Sequence, residues 1–179
     1  MSVEIVFETH SISTDNERGV RTGWLDGELS ERGRELARKL GARRRDDGIS
    51  AIFTSDLGRA VETAEIAFGD SDIPVFQDWR LRECNYGTMN GLPRTQFDEE
   101  PPRGLDEPYP DGESWRKAVE RVTGFLAELA LSRGGQRVVV IGHVATWYAL
   151  ECAAKPAALE DVFYAPFEWR EGWLYVLRR

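Results

Sequence analysis

Short apolar blocks alternate with longer amphipathic stretches along the chain. Residues 3–7 (VEIVF) are nearly all apolar, the pattern of a strand covered on both faces in a parallel sheet. Ser30 can cap a helix running to about residue 45, with Leu36, Ala37 and Leu40 as its apolar stripe and Arg34, Arg38 and Lys39 facing water. Residues 49–54 read as a second strand. Ser55 and Asp56 can cap a helix to about residue 68 that carries Leu57, Ala60, Val61, Ala64 and Ala67 on one side. Residues 73–76 make a third, short strand. Residues 112–132 have helical period, 137–141 (RVVVI) form the most apolar strand, and 144–154 form another helix. The tail VFYAPFEWREGWLYVLRR reads as two strands around a turn at Glu171 and Gly172.

Strands alternating with helices predict a three-layer α/β sandwich, a mostly parallel central sheet with helices on both faces. Two stretches lack either period. Residues 11–29 read as a loop rich in Asp, Asn, Gly and Thr. Residues 78–111 hold Pro93, Pro101, Pro102, Pro108 and Pro110 and read as an irregular lid or specificity segment, since a loop this long in a compact domain usually has a function. The length, 179 residues, favours one domain covering residues 1–179.

Composition narrows the classes. With 41% hydrophobic and 30% charged residues, the chain has the make-up of a globular protein. The formal charge of -8 argues against nucleic acid or an anionic membrane as partner. No apolar run approaches the ~20 residues of a membrane helix, and the start MSVEIVFETH has no basic, signal-like pattern. Cys84 and Cys152 show no metal-type spacing, so a reducing cytoplasm and a site without metal or cofactor are expected. An acidic protein can still hold an anion where a few arginines converge.

Such a convergence is visible. The chain has two histidines, and each ends an apolar run: His10 in VFETHSIST and His143 in RVVVIGH. Ligands of open α/β sheets bind beyond the carboxyl ends of the strands. Ser55 ends a third strand at the same edge and starts a helix with Arg59 one turn in, a combination suited to phosphate. A single histidine there is usually a polar residue leaving the core, and a single arginine a solvated charge. Together they suggest phosphoryl chemistry.

The motifs that follow resemble the histidine phosphatase superfamily, also called the phosphoglycerate mutase-like family. His10 matches the histidine of the family's opening Arg-His-Gly. GELSERGRELA is similar to its pLTexG loop, SDLGRAVETAEI to SxLxRAxxTAei, LRECNYGTMNG to LrExxyGxxxG, PDGES to PgGES, and VVVIGHVATWYAL to its last histidine motif, in the family's order and over nearly the whole chain. The resemblance implies a phosphoglycerate mutase-like fold and a small phosphorylated substrate. It implies that His10 is the nucleophile that becomes phosphohistidine, that Arg59 and His143 hold the phosphate, that Glu83 is general acid and then base, and that Asn16 touches the phosphate. From the residues alone, Glu83 in RLRE reads first as a solvated carboxylate paired with Arg80 or Arg82.

The chain departs from the family at the nucleophile. Thr9 stands where the resemblance places arginine, and Ser11 where it places glycine. A lost transition-state donor can cost ~10²–10³ in rate. Arg21, more than Arg18, is the expected replacement from the loop after His10, with Ser11 as a neutral donor. Val144 follows His143 in place of glycine, which keeps the backbone N–H; it also stands where an α/β-hydrolase would need serine, and excludes that reading. Trp24 and Trp147 could line a leaving-group pocket, and Cys84 reads as an inert thiol. The expected activity is phosphomonoester hydrolysis. A mutase-type phosphotransferase and a catalytically weakened phospho-ligand module remain as alternatives.

Overall fold

The computed structural model describes residues 1–99, 103–155 and 157–178. In chain order its strands are β1 (Ser2–Thr9), β2 (Val20–Arg21), β3 (Ala51–Thr54), β4 (Val75–Gln77), β5 (Leu92–Pro93), β6 (Arg137–Gly142) and β7 (Trp173–Arg178). The helices are α1 (Thr14–Arg18), α2 (Glu31–Arg44), α3 (Gly58–Phe68), α4 (Arg94–Glu99), α5 (Trp115–Ser132), α6 (Val144–Ala154) and α7 (Leu159–Phe163). Five strands form one sheet in the order β4-β3-β6-β1-β7, parallel except for β7, which runs antiparallel to β1.

Alternation along the strands builds two apolar layers. Ile5 and Phe7 of β1, with Val138 and Val140 of β6, pack against Val122, Phe125 and Leu126 of α5 and Ala149 and Leu150 of α6. Val6 of β1, with Val139 and Ile141 of β6, turns the other way and packs with Ile52, Ala60, Ala64 and Phe68 on the α3 side. These strand residues are sealed on both faces, which is why β1 and β6 read as continuous apolar runs rather than alternating ones. The register fixes the edge that matters: Thr9 pairs with Gly142, and Thr54 with Ile141, so β1, β3 and β6 end together. His10 N–H donates to the Gly142 carbonyl and Ser55 N–H to that of Ile141, carrying the ladder one residue past the strands.

Three expectations need correcting. The loop 11–29 contains a helical turn and a strand. Ser13 and Asn16 cap α1 reciprocally, each side chain accepting from the other's backbone N–H, and Gly19 ends it with φ 69°. A five-residue helix is too short to show a period. The segment 78–111 contains two 3₁₀ turns (Trp79–Leu81 and Gly87–Met89), β5 and α4, and its β5 pairs with β2 of the first loop. Pro101 and Pro102 lie outside the described residues, as does Arg179 of the tail. The tail forms one strand. Its first apolar block is α7, whose Phe163 ring packs near Trp115 and Tyr148, while β7 buries Trp173, Tyr175 and Leu177 on one face.

Candidate active site

His10, Arg59, Glu83 and His143 line one cavity of about 520 Å³ at the shared strand edge. His10 and His143 face each other with ring centroids 5.0 Å apart. His10 Nδ1 lies 2.7 Å from the Ser11 carbonyl, which requires a proton on Nδ1. Its Nε2 therefore keeps a lone pair, and Arg59 Nε–H donates to it at 3.3 Å. Arg59 Nη2 lies 3.4 Å from His143 Nδ1, which makes that nitrogen the acceptor and places a proton on His143 Nε2. Among the described residues that buried Nε2–H has no partner, a costly state that an oxygen acceptor in the cavity would relieve.

Both imidazoles are held neutral. Burial and then the Arg59 charge push His10 down to about 3, and the same causes push His143 well below its usual value, with His10 and Arg121 adding to it. Arg59 is 2% exposed. It donates to the carbonyls of Gly23, Leu25 and Asp26, and so pins the first loop over the cavity.

Glu83 lines the same cavity. Its carboxylate accepts from the N–H groups of Cys84, Val144 and Ala145 at 2.9, 3.3 and 3.2 Å. The start of α6 thus orients a carboxylate, and the Val144 N–H is used for that. Arg80 and Arg82 are engaged elsewhere, with Asp78 and Asp56, so the ion pair that the RLRE sequence suggests does not form. The Glu83 carbonyl accepts from Trp24 Nε1 and Arg121 Nη2, both at 2.7 Å.

A family model described as histidine phosphatase superfamily (branch 1) matches residues 5–177. The chain belongs to the histidine phosphatase superfamily. It is 34% identical over 154 residues to a 2,3-bisphosphoglycerate-dependent phosphoglycerate mutase of Parvibaculum lavamentivorans, covering 78% of this chain and 73% of the mutase. It is 31% identical to the protein of the same name in Neisseria meningitidis, covering 89% and 88%. Bacillus stearothermophilus YhfR superimposes with a TM-score of 0.81 at 27% identity, covering 97% of this chain and 90% of that one. A mycobacterial glucosyl-3-phosphoglycerate phosphatase solved with VO3 superimposes with a TM-score of 0.78 at 27% identity, covering 89% and 84%.

Within this member of the superfamily the other expected residues are placed unevenly. Asn16 and Arg21 line the cavity. The Asn16 Oδ1 is used in the α1 cap. Arg21 lies 3.8 Å from Asp98 and over the Phe97 ring. Arg18 ends α1 exposed and outside the cavity. The Ser11 hydroxyl donates to the Gly33 carbonyl, and its N–H donates to Thr63 Oγ1, so neither points to the cavity as a free donor. The start of α3 is also closed to an anion: Arg59 N–H donates to the Asp26 carbonyl, and a Cβ on Gly58 would lie 2.9 Å from the Gly27 carbonyl. Trp24 and Trp147 line neither this cavity nor the one beside it. Trp24 is bound to the Glu83 carbonyl beneath the guanidinium of Arg82, and Trp147 packs against Phe167.

Three lining residues had no signal in the sequence. Arg32, in the first turn of α2, lines the cavity and has no ion pair or hydrogen bond among the described residues. Phe167 and Trp169 arrive from the tail, and Trp169 Nε1 donates to Thr9 Oγ1 at 3.2 Å. Burial pushes the Cys84 thiol up, beside Glu83 and Glu113, which keeps it protonated. Among the described residues no group of three or more His, Cys, Asp or Glu is placed to hold a metal ion.

Proposed function

We propose that this protein hydrolyses phosphate monoesters through a phosphohistidine on His10. The observation that carries this reading is the fixed tautomer of His10: its Nε2 carries the lone pair, held by the Arg59 Nε–H, in the cavity that Glu83 also lines. In the first step Arg59 Nε–H turns from His10 Nε2 to a phosphate oxygen, the freed Nε2 attacks phosphorus, the bond from phosphorus to the ester oxygen breaks, and a proton passes through the Glu83 carboxyl group to the departing alkoxide. In the second step the Glu83 carboxylate takes a proton from water, whose oxygen attacks the phosphohistidine, and inorganic phosphate leaves with His10 restored. Neutral His10 supplies the nucleophile without prior deprotonation, which its lowered pKa supports.

Charge on the transferring group is met by Arg59 and by the partnerless Nε2–H of His143. Thr9 offers no charge. Arg32 supplies the further cation from α2, with Arg21 beside it, and Asn16 supplies a neutral amide donor. Two unpaired thiols, Cys84 and Cys152, fit a cytoplasmic setting for this reading. Hydrolysis rather than transfer back to a second substrate oxygen is favoured because Arg21, on the wall shared with the neighbouring cavity, already faces Asp98.

Rapid quench with a ³²P-labelled ester tests the reading. An acid-labile, base-stable phosphoenzyme should form and be absent in His10→Ala, with inorganic phosphate as the product. An adduct that survives in the variant would remove His10 from the role. Phosphate returned to an added alcohol in preference to water would replace the hydrolase by a transferase.

A further inference from the structure

A second cavity of about 700 Å³ opens from the first. The two share Arg21, Glu83, Tyr86, Val144 and Phe167 as walls. Glu83 therefore stands at the doorway between the chamber that holds the phosphate and this larger one. If Glu83 protonates the leaving oxygen, the alcohol attached to that oxygen lies in the second chamber.

The walls of that chamber are aromatic to an unusual degree. Tyr86, Phe97, Tyr109, Trp115, Tyr148 and Phe163 all line it. They brace one another edge to face: Tyr86 with Phe97 and with Tyr109 at 5.0 Å, and Trp115 with Tyr148 at 5.4 Å. Such a lattice holds its shape and offers ring faces and edges to a flat guest. Phe97, Trp115, Phe163 and Phe167 are only partly buried, so apolar surface remains to be covered.

Every lining cation is paired. The lining arginines are Arg21, Arg94 and Arg103. Arg21 and Arg94 both meet Asp98, at 3.8 and 3.3 Å, and Arg103 meets Glu107 at 2.9 Å, with Glu83 at the doorway. Each of the three cations thus meets a carboxylate of the same chain, Asp98 serving two of them and Glu107 the third. A leaving group that brings its own carboxylate or phosphate finds little uncompensated positive charge there.

Building on the phosphatase reading, we infer that the preferred substrates are phosphate monoesters of bulky, uncharged, ring-bearing alcohols. Small anionic esters of the phosphoglycerate kind fill neither the volume nor the apolar walls, and are poor substrates.

The test compares three alkyl esters whose leaving groups are similarly poor: ethyl phosphate, 3-phosphoglycerate and 2-(2-naphthyl)ethyl phosphate. Covering the naphthyl faces should raise kcat/KM about 10²-fold over the other two. Phe97→Ala and Phe163→Ala should each shrink that ratio at least several-fold, and Phe97→Leu serves if either truncation unfolds the protein. Calorimetry with the matching phosphonates, which cannot be hydrolysed, should show the same preference in binding. Phosphoglycerate or ethyl phosphate turned over as well as the naphthyl ester would overturn the inference while leaving the phosphatase intact. No turnover of any ester, with the naphthyl phosphonate still bound about 10²-fold more tightly than the ethyl one, would overturn the phosphatase and leave the chamber. Phosphonates bound equally would refute the chamber whatever the turnover.

Discussion

The catalytic cavity has two walls built by different rules. The inner wall consists of His10, His143 and Arg59, all at the ends of elements packed into the sheet. Arg59 and His143 are buried and His10 partly so, and each is fixed by a bond to another member or to backbone. The outer wall consists of Asn16, Arg21, Arg32 and Trp169, from a short helix, a two-residue strand, the start of α2 and the tail. Its side chains are half or largely exposed, and only Arg21 has an ion pair among the described residues. The inner wall is therefore rigid and suited to aligning a nucleophile, while the outer wall can change residue by residue without disturbing the core. Thr9 illustrates the division. It sits on the inner wall's own strand, and its hydroxyl serves as an acceptor for the tail rather than as a charged donor.

The largest expected break between the walls comes from Glu83, which the start of α6 ties to the inner one. Glu83→Gln keeps the shape and removes the transferable proton. Hydrolysis of simple alkyl phosphates should fall ~10²–10⁴-fold, and that of nitrophenyl phosphate much less, because nitrophenolate leaves without help. Steady-state rates on both esters decide this; equal losses would mean that Glu83 only holds α6 in place.

The outer wall gives a smaller effect, and it sharpens the comparison by separating two arginines. Among the described residues Arg32 has no side-chain partner to leave before it meets a phosphate, whereas Arg21 must loosen from Asp98. Arg32→Ala should lower kcat/KM ~10–10²-fold, Arg21→Ala by less, and Arg18→Ala by nothing measurable. Thr9→Arg should recover part of the Arg32→Ala loss by returning a guanidinium to the strand end. Equal, negligible effects of Arg32→Ala and Arg21→Ala would show that Arg59 and His143 suffice.

The same division explains what is legible in the sequence. β1, β3 and β6 announce themselves because both faces of each are covered, and period and apolarity then agree. The histidines are legible because a parallel sheet must end its strands at a common edge. The motif resemblance adds Glu83, which no period could mark. The outer wall is largely hidden. α1 and α7 are five residues each, less than two turns, so no apolar stripe can repeat along them. Arg32 looks like any solvated arginine of an amphipathic helix until α2 is placed beside His10. Trp169 reaches Thr9 across 160 positions of sequence, a contact set by the antiparallel return of β7. Arg21 is legible through its tether to His10, but its neighbour Asp98 comes from a helix that the proline-rich stretch conceals.

A last prediction tests whether the inner wall keeps its imidazoles neutral, and it can be made without substrate. His10 faces Arg59 and His143, and His143 faces Arg59, His10 and, further off, Arg121. Both take up protons less readily folded than unfolded, where each titrates near 6.5. Between that value and the lowered folded value the unfolded chain binds more protons, so stability rises with pH and is lost as pH falls below about 6.5. Above that pH neither state is protonated and the effect vanishes. At pH 5.5 each histidine should cost about 1.4 kcal/mol relative to pH 7.5, the amount by which protonation one unit below its pKa favours the unfolded chain. Urea midpoints measured at the two pH values should differ accordingly, and His143→Gln should remove about half of the difference, whatever it does to absolute stability. The chain has no other histidine to share the effect. A pH difference unchanged in both His143→Gln and His10→Gln would mean that the imidazoles charge within the fold. The inner wall would then be as open to water as the outer one, and the contrast between them would fail.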